Sequence, residues 1–119
     1  MKRWLIWLAY NALWTTLLVL PGSTFTPVGP DDLPELRRFI FKTGHVLAYA
    51  VFAWLSGWVR APARYRWLLL FFVMAHGTAT ELIQLKVSNR SGTLEDVGLD
   101  NLGVLLGLAV GWKWWSDPK

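Results

Sequence analysis

Apolar residues run in four stretches along this chain, roughly Trp4 to Leu20, Phe39 to Val59, Trp67 to Leu85 and Val97 to Trp115. Each approaches the ~20 residues that an α-helix needs to cross ~30 Å of hydrocarbon. The polar residues that interrupt or flank them gather toward one end: Lys42, His45, Glu81, Gln84, Arg90, Asp96, Asp100 and Asn101. The pattern predicts an all-α fold, a four-helix transmembrane bundle. An ionisable group inside a membrane span is costly and usually has a partner, so this polar set is the candidate functional region.

The segments between the stretches are read from their turn chemistry. Pro21 to Pro34 holds four prolines and two glycines, which predicts a Pro-rich outer loop between helices 1 and 2. Asp31 or Asp32 ahead of Leu33-Pro34 is a suitable helix cap, with the proline in the first turn. Arg60-Ala61-Pro62-Ala63-Arg64 is a tight turn that makes the second and third helices an antiparallel hairpin. In the segment from Lys86 to Glu95, Thr93 can cap the fourth helix, with Asp96 at its positive end. That cap is a purely structural use for Asp96.

Spacing then sorts polar residues onto faces. Lys42 and His45 are three apart, and Tyr49 lies four beyond His45 on the same stripe. His76, Thr80 and Gln84 are spaced by four, with Glu81 beside them. His76 lies about two turns deeper than Glu81; it is expected to be a core histidine bonded to a carbonyl, with a proton-relay role as the alternative. Asn11 is expected to be satisfied locally. Gly103, Gly107 and Gly111 recur every four residues, a doubled G-x-x-x-G that permits close approach of another helix. Packing within the chain is expected ahead of dimerisation, and Asp96 and Asp100 extend that face outward.

The 119 residues leave no room for a second domain, so residues 1–119 are read as one integral membrane domain. Charged residues make up 17% of the chain, below the ~25% of an ordinary soluble domain. With no cysteine, neither a disulfide nor a thiolate metal site can form. The net charge of +4 is explained by its placement rather than by nucleic acid. Lys2, Arg3, Arg60, Arg64, Arg66, Lys113 and Lys119 share one side if both termini are cytoplasmic, as the positive-inside rule requires. Trp4, Trp58, Trp67, Trp112, Trp114 and Trp115 fall near that side, as an interfacial aromatic belt would. No A-x-A-like site follows the first stretch, so it is read as a retained span in a multi-pass protein of the cytoplasmic (inner) membrane.

Together these residues resemble the VanZ-like membrane protein family. Lys42-Thr43-Gly44-His45 with Tyr49 is similar to its Lys-x-x-His element, and Glu81-Leu82-Ile83-Gln84 to its Glu-x-x-Gln element. Arg90-Ser91, Asp96 and Gly103 follow in matching order, so the resemblance runs from Lys42 to the end. Phe41 stands where many members carry an acidic residue, and Asp100 where asparagine is usual, with Asn101 displaced by one. The family is named for a teicoplanin-resistance determinant, so the resemblance implies a role in the cell envelope and a link to glycopeptide antibiotic resistance.

Three functions stay open on these residues. The first is binding of a lipid headgroup or a lipid-linked or cell-wall ligand at the outer face, with Lys42 and Arg90 suited to phosphate or carboxylate. Candidate ligand-binding residues are Lys42, His45, Glu81, Gln84, Arg90, Ser91, Asp96, Asp100 and Asn101. The alternative is a small accessory subunit packed into a larger membrane protein complex through its glycine and tryptophan faces. A third is a membrane-embedded enzyme using His45 and Glu81 as general base and orienting partner, with Ser91 or Thr93 as nucleophile. No established catalytic or zinc motif supports it, so neither metal nor cofactor is expected. Against all three stands a salt-bridged polar plug that only fixes helix packing. Membrane lipids and other membrane subunits are the expected partners; nucleic acid is not.

Overall fold

The computed structural model describes residues 1–19, 34–84, 86 and 94–117. They form five α-helices: α1 (Lys2–Val19), α2 (Pro34–Trp58), α3 (Ala63–Gln84), α4 (Leu94–Val110) and α5 (Trp112–Trp115). The four longer ones lie near the four apolar stretches. The Pro-rich segment and the capping role of Thr93 lie outside the described residues.

Local chemistry sets the ends. Pro34 opens α2, where a missing N–H costs nothing and the fixed φ is already helical. Past Trp58 the chain reverses at Arg60, which takes a φ of 58° and bonds its N–H to the Gly57 carbonyl at 3.2 Å. Pro62 then prevents continuation, and the Tyr65 N–H closes on the Pro62 carbonyl at 2.8 Å as α3 begins. Glu95 and Asp96 stand in the first turn of α4, where the helix dipole favours negative charge.

Side-chain contacts fix the directions. Arg3 donates to the Trp58 carbonyl, Trp7 to Ser56 Oγ and Tyr10 to the Ala48 carbonyl, so α1 runs antiparallel to α2. Tyr49 meets His76 and Thr80 while His45 meets Glu81, so α3 runs antiparallel to α2. Gly103 faces Val46 and Gly107 faces Ala50, so α4 runs parallel to α2, with which it makes its most extensive packing. A Cβ on Gly103 would lie 3.1 Å from the Val46 carbonyl carbon, and one on Gly107 2.9 Å from both the Ala50 carbonyl carbon and the Ala53 Cβ. Only glycine lets the two backbones approach so closely. Trp7, Leu18, Tyr49, Phe52, Ala53, Leu55, Val59, Val73 and Val104 make the core.

The transmembrane reading requires correction. Among the described residues no helix is long and apolar enough to cross a membrane. The expected four-helix transmembrane bundle, its transmembrane helices and the cytoplasmic termini that followed from them therefore give way to an all-helical fold of five helices. The physical reason lies in what each helix contains. α1 has 18 residues and α4 has 17, about 27 and 26 Å at ~1.5 Å per residue, against ~30 Å of hydrocarbon. α2 is longer, but Glu35, Arg37, Arg38, Lys42 and His45 occupy its first half. α3 begins with Arg64 and Arg66 and carries Glu81 in its last turn.

The tryptophan belt falls with the spans. Trp115 is buried, donating its indole N–H to the Ala53 carbonyl at 3.2 Å. Trp54 stacks on Trp58 and meets Trp114 edge-on. Arg66, read above as a topology-setting charge, is buried and ties α5 and Asp117 beyond it to the α2–α3 turn. Its guanidinium donates to the carbonyls of Ala61 and Trp115, each at 3.0 Å, and to that of Asp117. The exterior remains rich in large apolar side chains, Leu5, Leu8, Leu13, Leu68 and Phe71 among them.

Candidate functional site

Parallel α2 and α4 with antiparallel α3 bring the first half of α2, the last turns of α3 and the first turns of α4 to one end. Three ionisable side chains meet there. His45 Nδ1 lies 2.9 Å from Asp100 Oδ1 and 3.7 Å from Glu81 Oε1. All three are buried, at 8, 1 and 3% exposure for His45, Asp100 and Glu81. At 2.9 Å the Nδ1–H donates a hydrogen bond to Asp100, which orients the imidazole. The edge of the His45 ring packs against Trp14 of α1, with centroids 5.9 Å apart.

Electrostatics makes this a shared-proton site. Burial by itself lowers the His45 pKa, but the hydrogen bond to Asp100 and the charges of Asp100, Glu81 and Asp96 outweigh it and push the imidazole above its ordinary value. Burial also pushes Asp100 up, against the lowering influence of His45. The pair therefore retains a proton where isolated groups would have lost one.

A second network lies one turn below. Thr15 Oγ1 donates to Asn11 Oδ1 at 3.2 Å, which leaves its lone pairs to accept from His76 Nε2–H at 2.7 Å. His76 Nδ1 is then the acceptor for the Tyr49 hydroxyl at 2.9 Å. Thr80 donates its own hydroxyl to the carbonyls of His76 and Gly77 and faces Tyr49 at 3.2 Å. With Thr15 donating to Asn11, the directions agree for a neutral His76 protonated on Nε2. Burial shifts its pKa the same way, below the ordinary value. The carbonyl partner expected for His76 is thus replaced by two side chains, one each from α1 and α2.

The candidate residues divide accordingly. His45, Glu81 and Asp100 converge. Lys42 and Asp96 are half-buried, one turn farther out on α2 and α4. Asn101 is half-buried beside Asp100, Gly103 and Gly107 line the α2-facing side of α4, and Gly111, just past its end, lies against Trp54 of α2. Arg90 and Ser91 lie outside the described residues, as does the side chain of Gln84.

Two features were not anticipated. Asp100, rather than Glu81, is the direct partner of His45, because the rotation of α4 about its axis decides which carboxylate arrives. The glycine spacing puts Asp100 on the face of Gly103, three residues before it, but does not by itself set it against His45. The trio also offers three ligand atoms within 4.8 Å of one another, a grouping capable of holding a metal ion, where none was expected. Comparison of the chain with protein-family models, with curated proteins and with solved structures finds no match.

Proposed function

We propose that this chain is a VanZ-like binding module of the cell envelope whose buried His45–Asp100–Glu81 centre receives the polar headgroup of an amphiphilic molecule, such as a lipid-linked cell-wall precursor. One observation carries the reading: a buried imidazole within reach of two carboxylates, with half-buried Lys42 and Asp96 one turn farther out, in a chain that exposes many large apolar side chains. Of the residues that carry the resemblance, His45, Tyr49, Glu81 and Gly103 belong to the α2–α3–α4 packing around that centre. Convergent polar groups in an apolar setting fix the orientation of a ligand, while apolar surface accommodates its tail. The link to glycopeptide resistance rests on the resemblance alone.

The exposed apolar faces of α1 and α3 favour a second reading, an accessory subunit whose faces another protein covers. Native mass spectrometry of the chain, gently extracted from its own host, tests both. The expected result is a single chain carrying an amphiphile, which Glu81→Gln and His45→Gln variants lose while remaining folded. A stoichiometric protein assembly without an amphiphile supports the second reading. An amphiphile retained equally by wild type and both variants refutes the site assignment.

A further inference from the structure

We propose that His45, Glu81 and Asp100 form a divalent-cation site suited to a borderline transition ion, with zinc as the test case, in preference to magnesium or calcium.

The donor set comes first. One imidazole nitrogen and two carboxylate oxygens suit zinc-like ions, whereas magnesium and calcium prefer oxygen donors throughout. Each residue offers one ligand atom, and the three lie within 4.8 Å of one another. Bonds of ~2.1 Å in a tetrahedron place neighbouring ligand atoms ~3.4 Å apart. The His45–Asp100 and His45–Glu81 separations, 2.9 and 3.7 Å, bracket that edge. Seating an ion at those two edges takes movements of a few tenths of an ångström, and the carboxylate–carboxylate edge is within 4.8 Å.

A second observation is independent of the clustering. Asp100 is 1% exposed, and its Oδ2 has no hydrogen-bond partner among the described residues. That oxygen faces α3 at Gly77, one turn before Glu81; a Cβ at Gly77 would stand 3.3 Å from it. A buried carboxylate oxygen without a donor is costly to maintain and calls for a cation.

Charge favours the ion as well. A proton on His45 leaves these three groups at a net charge of minus one. A dication on a neutral imidazole and two carboxylates brings them to zero, the better state for buried groups. Three protein ligands also leave one coordination position open. This inference deepens the proposed function and rests on it for one point only: the open position would accept a phosphate or hydroxyl oxygen of the headgroup.

The test uses the full chain, stripped with chelator and titrated with zinc chloride by calorimetry, with magnesium chloride as comparison. One zinc per chain is expected, with magnesium binding at least ~100-fold more weakly. Loss of a supporting outer partner alone costs metal sites ~10–100-fold in affinity. His45→Gln and Asp100→Asn, direct ligands, should therefore weaken zinc binding by at least ~100-fold, and Glu81→Gln by a similar factor. His76→Gln, which alters the only other histidine, should bind as wild type does. Circular dichroism establishes which variants are folded. X-ray absorption of the wild-type zinc complex gives an answer that needs no variant: one imidazole in a first shell otherwise of oxygen. Absence of zinc binding, wild-type affinity in a folded His45→Gln or Asp100→Asn chain, or a two-imidazole shell overturns the proposal. Zinc bound by a chain that carries no amphiphile refutes the headgroup reading and leaves the metal site standing. An amphiphile carried by a chain that binds no zinc does the reverse.

Discussion

Gly107→Ala tests the packing that places Asp100 beside His45. The added Cβ would stand 2.9 Å from both the Ala50 carbonyl carbon and the Ala53 Cβ, with the Ala50 carbonyl oxygen nearer still. Relaxed contacts lie at ~3.5–4.0 Å, so α4 must withdraw from α2 by about 1 Å. A helical carbonyl cannot rotate aside as a side chain can. Overpacking of this kind costs ~1–3 kcal/mol, and the better helix propensity of alanine returns at most ~1. The net expectation is destabilisation by ~1–2 kcal/mol. Gly98, on the same helix, provides the internal control, because among the described residues nothing lies within 4 Å of a Cβ built there. Gly98→Ala should stabilise the chain by ~0.4–1 kcal/mol. The same chemical change should thus have opposite signs at two sites three turns apart or less. Denaturant unfolding of the three proteins measures it, as does a Tm difference of roughly 8 °C between the variants. A Gly107→Ala protein as stable as Gly98→Ala would refute the close approach of α2 and α4.

Three further expectations follow from the hydrogen bonds. Tyr49→Phe leaves the half-buried His76 without the donor to its Nδ1 and should cost ~1–2 kcal/mol; an unchanged denaturation midpoint would refute that bond. Arg66→Lys cannot reproduce the guanidinium bonds to Ala61, Trp115 and Asp117 and should cost about 2 kcal/mol. A neutral effect on unfolding would show that α5 is not held by them. Nitrogen-15 spectra of His76 near neutral pH should show a protonated Nε2 and a bare Nδ1; the opposite tautomer would break the Thr15–His76–Tyr49 direction of donation.

The helices themselves were legible in the sequence, since long apolar runs punctuated by proline and glycine leave few alternatives. Their relation to a membrane was not. Apolar runs of near-spanning length were read from residue types alone, while the helices that form incorporate the flanking Lys2, Arg3, Arg64, Arg66, Glu95 and Asp96. The short α5 was missed because Trp112 to Trp115 looks like a continuation of α4; Gly111 interrupts the two. At the site, spacing grouped Lys42 with His45 and Thr80 with Gln84. It could not say which carboxylate would complete the imidazole, because helix rotation is set by packing contacts such as Gly103 on Val46. The Thr15–His76 bond was equally hidden, joining residues 61 apart in the chain.

The glycine repeat of α4 also has the character of a ruler with identical marks. Gly103 and Gly107 meet carbonyls of α2, and the repeat could offer Gly107 and Gly111 to the same two carbonyls. Sliding α4 back by one turn, ~5.4 Å, would set Leu99 where Gly103 now meets Val46, and bulk forbids it. Sliding it forward would set Gly107 against Val46 and Gly111 against Ala50, with glycine at both carbonyls. What it would sacrifice is chemical: Val104 would arrive opposite His45 in place of Asp100, and Trp115 would leave the Ala53 carbonyl and the space above Gly57. The buried imidazole–carboxylate pair at one end and the indole at the other thus select a single alignment from a degenerate set. Whatever else the polar centre does, it tells α4 where to stop.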